Sequence, residues 1–196
     1  MIEFIRGRIS HITPTFVVVE AQSVGYYIHI TLNTFSSIQL LDINSDIKIY
    51  IHQVIREDAH LLFGFYDESE RQLFRQLITV SGIGANTARM MLSSMNPEEL
   101  TISIAQGDVD TLKSIKGIGL KTAQRIIVEL KDKIGTSPAQ KELFATSYNT
   151  VREEALSALV MLGFSKKAVE TVLNNELRKD ASISLENLIK VSLKQL

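Results

Sequence analysis

The sequence predicts an α+β multidomain protein: a small N-terminal β-barrel, a middle helical domain, and a C-terminal three-helix bundle on a flexible linker. Three observations predict it. Up to Phe65 the chain alternates apolar and polar residues with the period of strands, most clearly in Ile47-Lys48-Ile49-Tyr50-Ile51-His52. From Asp67 the period becomes helical, and one pattern occurs twice: Ser81-Gly82-Ile83-Gly84-Ala85-Asn86-Thr87-Ala88 and Lys116-Gly117-Ile118-Gly119-Leu120-Lys121-Thr122-Ala123, with Gly82 and Gly117 35 positions apart. Periodicity fails between Gly135 and Asn149, then returns as helical to the end of the chain.

Each element has local grounds. Ile2 to Ile12, Phe16-Val17-Val18-Val19, Tyr26 to Ile30, Ile47 to His52 and Leu61 to Phe65 read as five or six short strands, which a closed barrel over residues 1–65 relieves of exposed edges. The helical domain spans residues 66–134. Asp67-Glu68-Ser69-Glu70 has the form of a capping box, and Leu73, Phe74, Leu77 and Ile78 form the apolar stripe of the helix behind it. Ala88, Met91, Leu92 and Met95 follow the first repeat. Asn96-Pro97-Glu98-Glu99 supplies a cap, an N1 proline and first-turn acids for a helix closing at Gly107. Val109, Leu112 and Ile115 line the short helix before the second repeat, and Ala123, Ile126, Ile127 and Leu130 the long one after it. Residues 135–149, with Gly135-Thr136-Ser137-Pro138, read as a flexible linker. Residues 150–196 carry Ala155, Leu156, Leu159 and Val160, stopped at Gly163; Val169, Val172 and Leu173 after a Ser165 cap; and Leu185, Leu188 and Ile189 after Ser182 or Ser184. A tethered bundle of this size suits partner docking, and Met161-Leu162-Gly163-Phe164 resembles the ubiquitin-associated fold.

Composition excludes several classes of function. No apolar run approaches the ~20 residues of a membrane span, and Met1-Ile2-Glu3-Phe4-Ile5-Arg6 lacks the order of a secretory signal, so a cytoplasmic location is expected. The absence of cysteine removes disulfides, thiolate catalysis and Cys-zinc sites. Formal charge is −1, with four Lys/Arg against six Asp/Glu in residues 1–66, nine of each in 67–133, and eight against seven in 134–196. Nucleic-acid affinity must therefore come from a local face and from backbone amides.

The repeat supplies such a face. A tight interhelical turn needs a residue at positive φ, and backbone that touches a phosphate leaves no room for a bulky Cβ; glycine meets both demands. The next helix opens with unpaired N–H groups and the positive end of its dipole. This is a helix-hairpin-helix, and the isoleucine between the glycines is expected to plug into the core. Such a site reads phosphate rather than bases, so its binding is sequence-independent and salt-sensitive. Lys113, Lys116, Lys121 and Arg125 surround the second copy, with no acid between Asp110 and Glu129, whereas the first copy has only Arg89.

Other candidate sites are poorer. No phosphate-binding Gly-x-x-x-x-Gly-Lys-Ser/Thr loop or Gly-x-Ser-x-Gly elbow occurs, and His11, His29, His52 and His60 lack metal-ligand spacing; no cofactor or metal is called for. Lys131 and Asp132, the candidates for a glycosylase-type residue near the hairpins, read as solvated surface at a helix end. Glu57-Asp58 occupies a predicted hairpin tip, where carboxylates beside a DNA surface would repel phosphate. Three functions stay open on these residues alone: a structure-specific DNA binder, a helix-hairpin-helix nuclease or glycosylase, and a DNA-repair protein adaptor.

The chain resembles, over essentially its full length, the RuvA family of Holliday-junction branch-migration proteins. The resemblance rests on Ile5-Arg6-Gly7-Arg8-Ile9, Arg56-Glu57-Asp58-Ala59-His60-Leu61-Leu62-Phe63-Gly64-Phe65, both Gly-Ile-Gly hairpins, and Lys121-Thr122-Ala123-Gln124-Arg125-Ile126-Ile127-Val128-Glu129-Leu130. It implies an oligonucleotide-binding (OB) barrel and a homotetramer, singly or as paired tetramers, that holds a four-way junction open and square-planar for recombination, repair and the SOS response. It implies phosphate contacts from Gly82, Ile83, Gly84, Ala85, Asn86, Thr87 and Arg89, and from Lys116, Gly117, Ile118, Gly119, Leu120, Lys121, Thr122 and Arg125. Glu57 and Asp58 become an acidic pin at the junction centre. The C-terminal bundle, through Leu159, Leu162 and Phe164, would dock a hexameric RuvB-type ATPase, with a RuvC-type resolvase as a further complex member. At the first hairpin Ala85-Asn86 departs from the family's usual proline or basic residue, so Arg89, one turn later, is expected to supply the missing charge.

Overall fold

The computed structural model describes residues 1–43, 45–134, 147–180 and 183–196. The chain divides into two compact units, Met1–Gly135 and Thr136–Leu196. In the first unit, strands β1 (Phe4–Ile12), β2 (Phe16–Ala21), β3 (Val24–Ile30), β4 (Asp46–Ile55) and β5 (His60–Phe65) close a barrel in the order β1-β2-β3-β5-β4. The β3–β5 pairing is parallel and the others are antiparallel. Alternation places Ile5, Ile9, Val17, Val19, Ile28, Ile30, Ile47, Ile49 and Ile51 inside. Gly64 occupies an inward position where a Cβ would lie 2.3 Å from Ile28 Cγ2 and 2.6 Å from Ile49 Cγ2, so only glycine lets the wall close there.

The β2–β3 hairpin turns through Gln22 (φ 52°) and Ser23 (φ 62°), with Ala21 paired to Val24. Two consecutive positive φ values suit a type I′ turn, which favours Asn-Gly, and each non-glycine residue there stores backbone strain. Replacing Gln22 with Asn and Ser23 with Gly is expected to raise stability by roughly 1–2 kcal/mol. Urea unfolding reads this as a higher midpoint at constant slope; an unmoved midpoint would contradict it.

Helix α1 (Leu32–Ile38) was not expected from the sequence, since Leu-Asn-Thr-Phe-Ser-Ser-Ile has weak helix propensity and no apolar stripe. Tertiary contacts form it. Thr31 caps it by accepting from Thr34 N at 3.0 Å, and Thr34 and Ile38 are buried. The same contacts overturn the capping box expected at Asp67. Asp67 is the N-cap of α2 (Glu68–Leu77) but makes no side-chain cap bond, and Glu70 turns inward, 2% exposed, to accept from Thr31 Oγ1 at 2.6 Å and Thr34 Oγ1 at 2.8 Å. Burial, with Asp67 nearby, holds the Glu70 carboxyl above the usual glutamate range despite those two bonds. Arg71, also 2% exposed, reaches the other way, to Glu3, Glu68 and the ring of Tyr50. Adjacent residues of α2 thus tie it to α1 on one side and to β4 and the residue preceding β1 on the other.

Phe63 and Phe65 on β5 share a core with Leu73, Phe74 and Leu77 of α2, so barrel and helices are one packed body. Helices α3 (Ala85–Ser94), α4 (Pro97–Gln106), α5 (Val109–Ser114) and α6 (Leu120–Ile134) complete it. At α4 the expected Asn96 cap closes into a full capping box: Glu99 N donates to Asn96 Oδ1 at 2.8 Å, Glu99 Oε2 accepts from Asn96 N at 3.3 Å, and Gly107 ends the helix at φ 77°.

The second unit contains α7 (Ser147–Met161), α8 (Lys166–Lys179) and α9 (Leu185–Leu193), packed on Ala155, Leu159, Val169, Leu173, Leu177 and Leu188. Ser165 and Ser184 cap α8 and α9; the alternative cap, Ser182, lies outside the described residues. Of the linker expected at 135–149, residues 135–146 also lie outside them, and α7 has already begun at Ser147. Val160, expected on the inner stripe, is 40% exposed.

Candidate nucleic-acid interface

Both copies of the repeat fold to one geometry. Ile83 N donates to Val80 O at 3.0 Å and Ile118 N to Ile115 O at 3.0 Å, closing two equivalent turns. Their third residues, Gly82 (φ 93°) and Gly117 (φ 89°), occupy the positive-φ position of a type II turn. Ile83 and Ile118 are each 5% exposed and anchor the turns in the common core. The first helical bonds also match, Ala88 N to Gly84 O and Ala123 N to Gly119 O, both 2.9 Å.

The second glycines have a different reason. Neither is at positive φ, and a Cβ on Gly84 or Gly119 would meet no protein atom within 4 Å. The free chain tolerates a side chain there, so what glycine provides is open space over the start of each helix. The amides of Ala85, Asn86 and Thr87, and of Leu120, Lys121 and Thr122, donate to no acceptor among the described residues. At five other helix starts a side chain accepts a first-turn amide, from Thr31, Asn96, Asp108, Ser165 and Ser184, while Asp67 makes no such bond at α2. Gly84, by contrast, gives α3 no side-chain cap. Two helix starts with free amides and nothing over them make two seats for an anion.

The cations are placed less simply than chain order implies. Lys116 and Lys121 are exposed beside the second hairpin, while Lys113 is paired with Asp110 at 2.9 Å. Arg89 is turned toward the barrel, Nη1 donating to Thr15 O at 3.2 Å and lying 3.4 Å from His29 Nδ1. Arg125 leaves its own hairpin and donates from Nη1 to Ser81 O at 3.0 Å, on the first. Sequence reasoning missed this crossing; the signal was the equal offset of Met90 from Gly84 and Arg125 from Gly119, six residues each.

Glu57 and Asp58 are exposed at the β4–β5 tip, in a loop closed by Arg56 N to Ala59 O at 2.8 Å, between the paired Ile55 and His60. Among the described residues neither carboxylate has a hydrogen-bond or ion-pair partner, so both charges face solvent. The histidines form no metal site: no group of three or more His, Cys, Asp or Glu among the described residues could hold an ion. Burial, and then Arg89, push His29 below the usual histidine range, and burial with Arg75 and Arg71 does the same to His52. Among the described residues no helix is long and apolar enough to cross a membrane.

In the second unit, Leu159, expected as a partner contact, is fully buried between the helices and is a core residue. Phe164 is partly buried against the same core, and Leu162 is 62% exposed beside Met161 at 85%.

Three family models match in series: the RuvA N terminal domain over residues 1–64, a SAM-like helix-hairpin-helix tandem over 74–132, and the RuvA C-terminal domain over 150–196. A Christiangramia forsetii protein, "Holliday junction branch migration complex subunit RuvA", is 46% identical over 196 residues, covering 100% of both chains. The chain belongs to the RuvA family. Further RuvA proteins agree: that of Cytophaga hutchinsonii is 49% identical over 200 residues and 99% of each chain, and that of Bacteroides fragilis 47% over 208 residues and 100% of each. For a RuvA-family chain, the closed barrel, tandem hairpins and C-terminal helices are the family's three-part architecture.

Proposed function

We propose that the chain is the junction-binding subunit of a branch-migration complex. It binds four-way DNA junctions without regard to sequence and holds them open and square-planar, so that a partner ATPase can move the crossover during recombination and repair. The carrying observation is the pair of identical hairpins, each offering free amides beneath a glycine that the fold itself does not require. The names of its relatives, subunits of a Holliday junction branch migration complex, support the same reading.

In this reading the chain divides functionally into barrel (1–65), tandem hairpins (66–134), linker (135–149) and docking bundle (150–196). The hairpins hold duplex arms through Gly82–Thr87 and Gly117–Thr122 with Lys116, Lys121 and Arg125. The chain itself is non-catalytic and works in the cytoplasm as a homotetramer, with nucleotide hydrolysis in a hexameric RuvB-type partner and resolution by a RuvC-type nuclease. Leu162, with Phe164 at its edge, offers the partner an apolar contact. A gel-shift comparison of a four-way junction with linear duplex of the same sequence tests the reading; equal affinities would defeat it. Cleavage of labelled junction in magnesium would favour the nuclease alternative instead.

The acidic tip gives a second expectation. Two solvated carboxylates repel phosphate, so Glu57→Gln with Asp58→Asn is expected to leave junction affinity unchanged or higher while altering the rate of partner-driven migration. Weaker junction binding by the double variant would contradict the repulsion argument.

A further inference from the structure

We propose that the two hairpins form one composite phosphate clamp, in which Arg125, carried by the helix of the second hairpin, is the cation of the first. This rests on the reading that both hairpins hold DNA phosphate. The evidence is a reciprocal exchange of side chains. Met90 stands six residues after Gly84 and Arg125 six after Gly119, so they are equivalent positions of the two copies. Each crosses to the other copy's turn. A Cβ on Gly117 would lie 3.2 Å from Met90 Cε, and a Cβ on Gly82 would lie 4.0 Å from Arg125 Nη1.

The exchange inverts the charge pattern read along the chain. The first hairpin, which has Asn86 where the second has Lys121, receives Arg125; the second keeps Lys116 and Lys121 and receives the neutral Met90. Arg125 is exposed, and its one hydrogen bond among the described residues, from Nη1 to Ser81 O, uses one arm of the fork. Nε and Nη2 remain to meet a phosphate seated over the amides of Ala85–Thr87, which a guanidinium can do while still bracing the turn. Arg89 is already directed to Thr15 O and leaves that place open. Loss of Arg125 should therefore disable the first hairpin, not the second.

A double-mutant cycle on the full chain decides this. Gly84→Val and Gly119→Val each block one seat with a neutral side chain that the free fold accommodates. Arg125→Met copies the residue that the other half of the exchange already uses, preserving packing while removing charge. Binding to a fluorescent four-way junction is measured over a range of salt. Arg125→Met alone is expected to weaken binding about tenfold and to flatten the dependence of log K on log salt, which a purely structural change would leave alone. Added to Gly84→Val it should cost less than about twofold more; added to Gly119→Val it should cost its full factor. Additivity with Gly84→Val, or an unchanged salt slope, would overturn the assignment. Indifference of binding to both valine variants would instead defeat the hairpin reading beneath it.

Discussion

Gly84→Asp and Gly119→Asp should each lower junction affinity by at least tenfold while the protein melts at the same temperature or higher. The two effects share one cause. Gly84 already has the backbone of an N-cap, φ −87° and ψ 168°, and aspartate is among the best N-cap residues, so its carboxylate would accept the first-turn amides. A cap better than glycine by a few tenths of a kcal/mol stabilises the helix. The same carboxylate occupies the donors a phosphate would use and brings a like charge to it. Losing charge-assisted bonds worth about 1.5–3 kcal/mol corresponds to roughly 10–100-fold in affinity. Thermal unfolding and anisotropy titration on the same samples separate the two readouts. Unchanged binding with unchanged folding would mean that these helix starts are not where DNA sits.

Glu70→Ala is expected to destabilise the first unit by about 3 kcal/mol, through two orphaned hydroxyls and a small cavity. Thr31 Oγ1 donates to Glu70 and accepts from Thr34 N; Thr34 Oγ1 donates to Glu70 and accepts from Tyr66 N at 3.0 Å. With those roles set, both carboxylate oxygens must accept, and glutamine can satisfy only one. Comparison with Glu70→Gln should nonetheless isolate the pH signature of the buried acid, which the variant lacks. Because burial raises the folded-state pKa above the ordinary value of 4.5, the folded state binds the proton more tightly. Its contribution is full below that value and is lost as pH rises through the raised one. The stability of the natural chain relative to Glu70→Gln should thus fall as pH increases from about 4.5. Glu3 and Asp108, whose carboxyls are held low by Arg71 and by Thr111, act only in the more acidic window below their ordinary values. Parallel stability–pH curves for the two proteins would contradict the argument.

Local chemistry was legible wherever a residue acts on its immediate neighbours. The strand alternation of Ile47 to His52, the Asn96 cap, Gly107 and the positive-φ turns at Gly82 and Gly117 follow from steric and hydrogen-bonding rules that span a few residues. Elements stabilised from a distance were not legible. Helix α1 exists because Thr31 and Thr34 meet Glu70, nearly forty positions away, and for the same reason Glu70 abandons the capping box that its spacing suggests. Leu159 has two readings in the sequence, on the apolar stripe with Ala155 and as a contact beside Leu162, and the packing of three helices selects the first.

The repeated Gly-Ile-Gly by itself determined that the chain has two equivalent hairpins, each turning on a positive-φ glycine and opening a helix beneath a second one. Tertiary structure alone decided how charge is shared between them. A helix rotates 100° per residue and carries a side chain six positions on away from its own turn, so Arg125 serves whichever surface packs beside it. That surface is the first hairpin, and only the packing of the two copies against each other could say so.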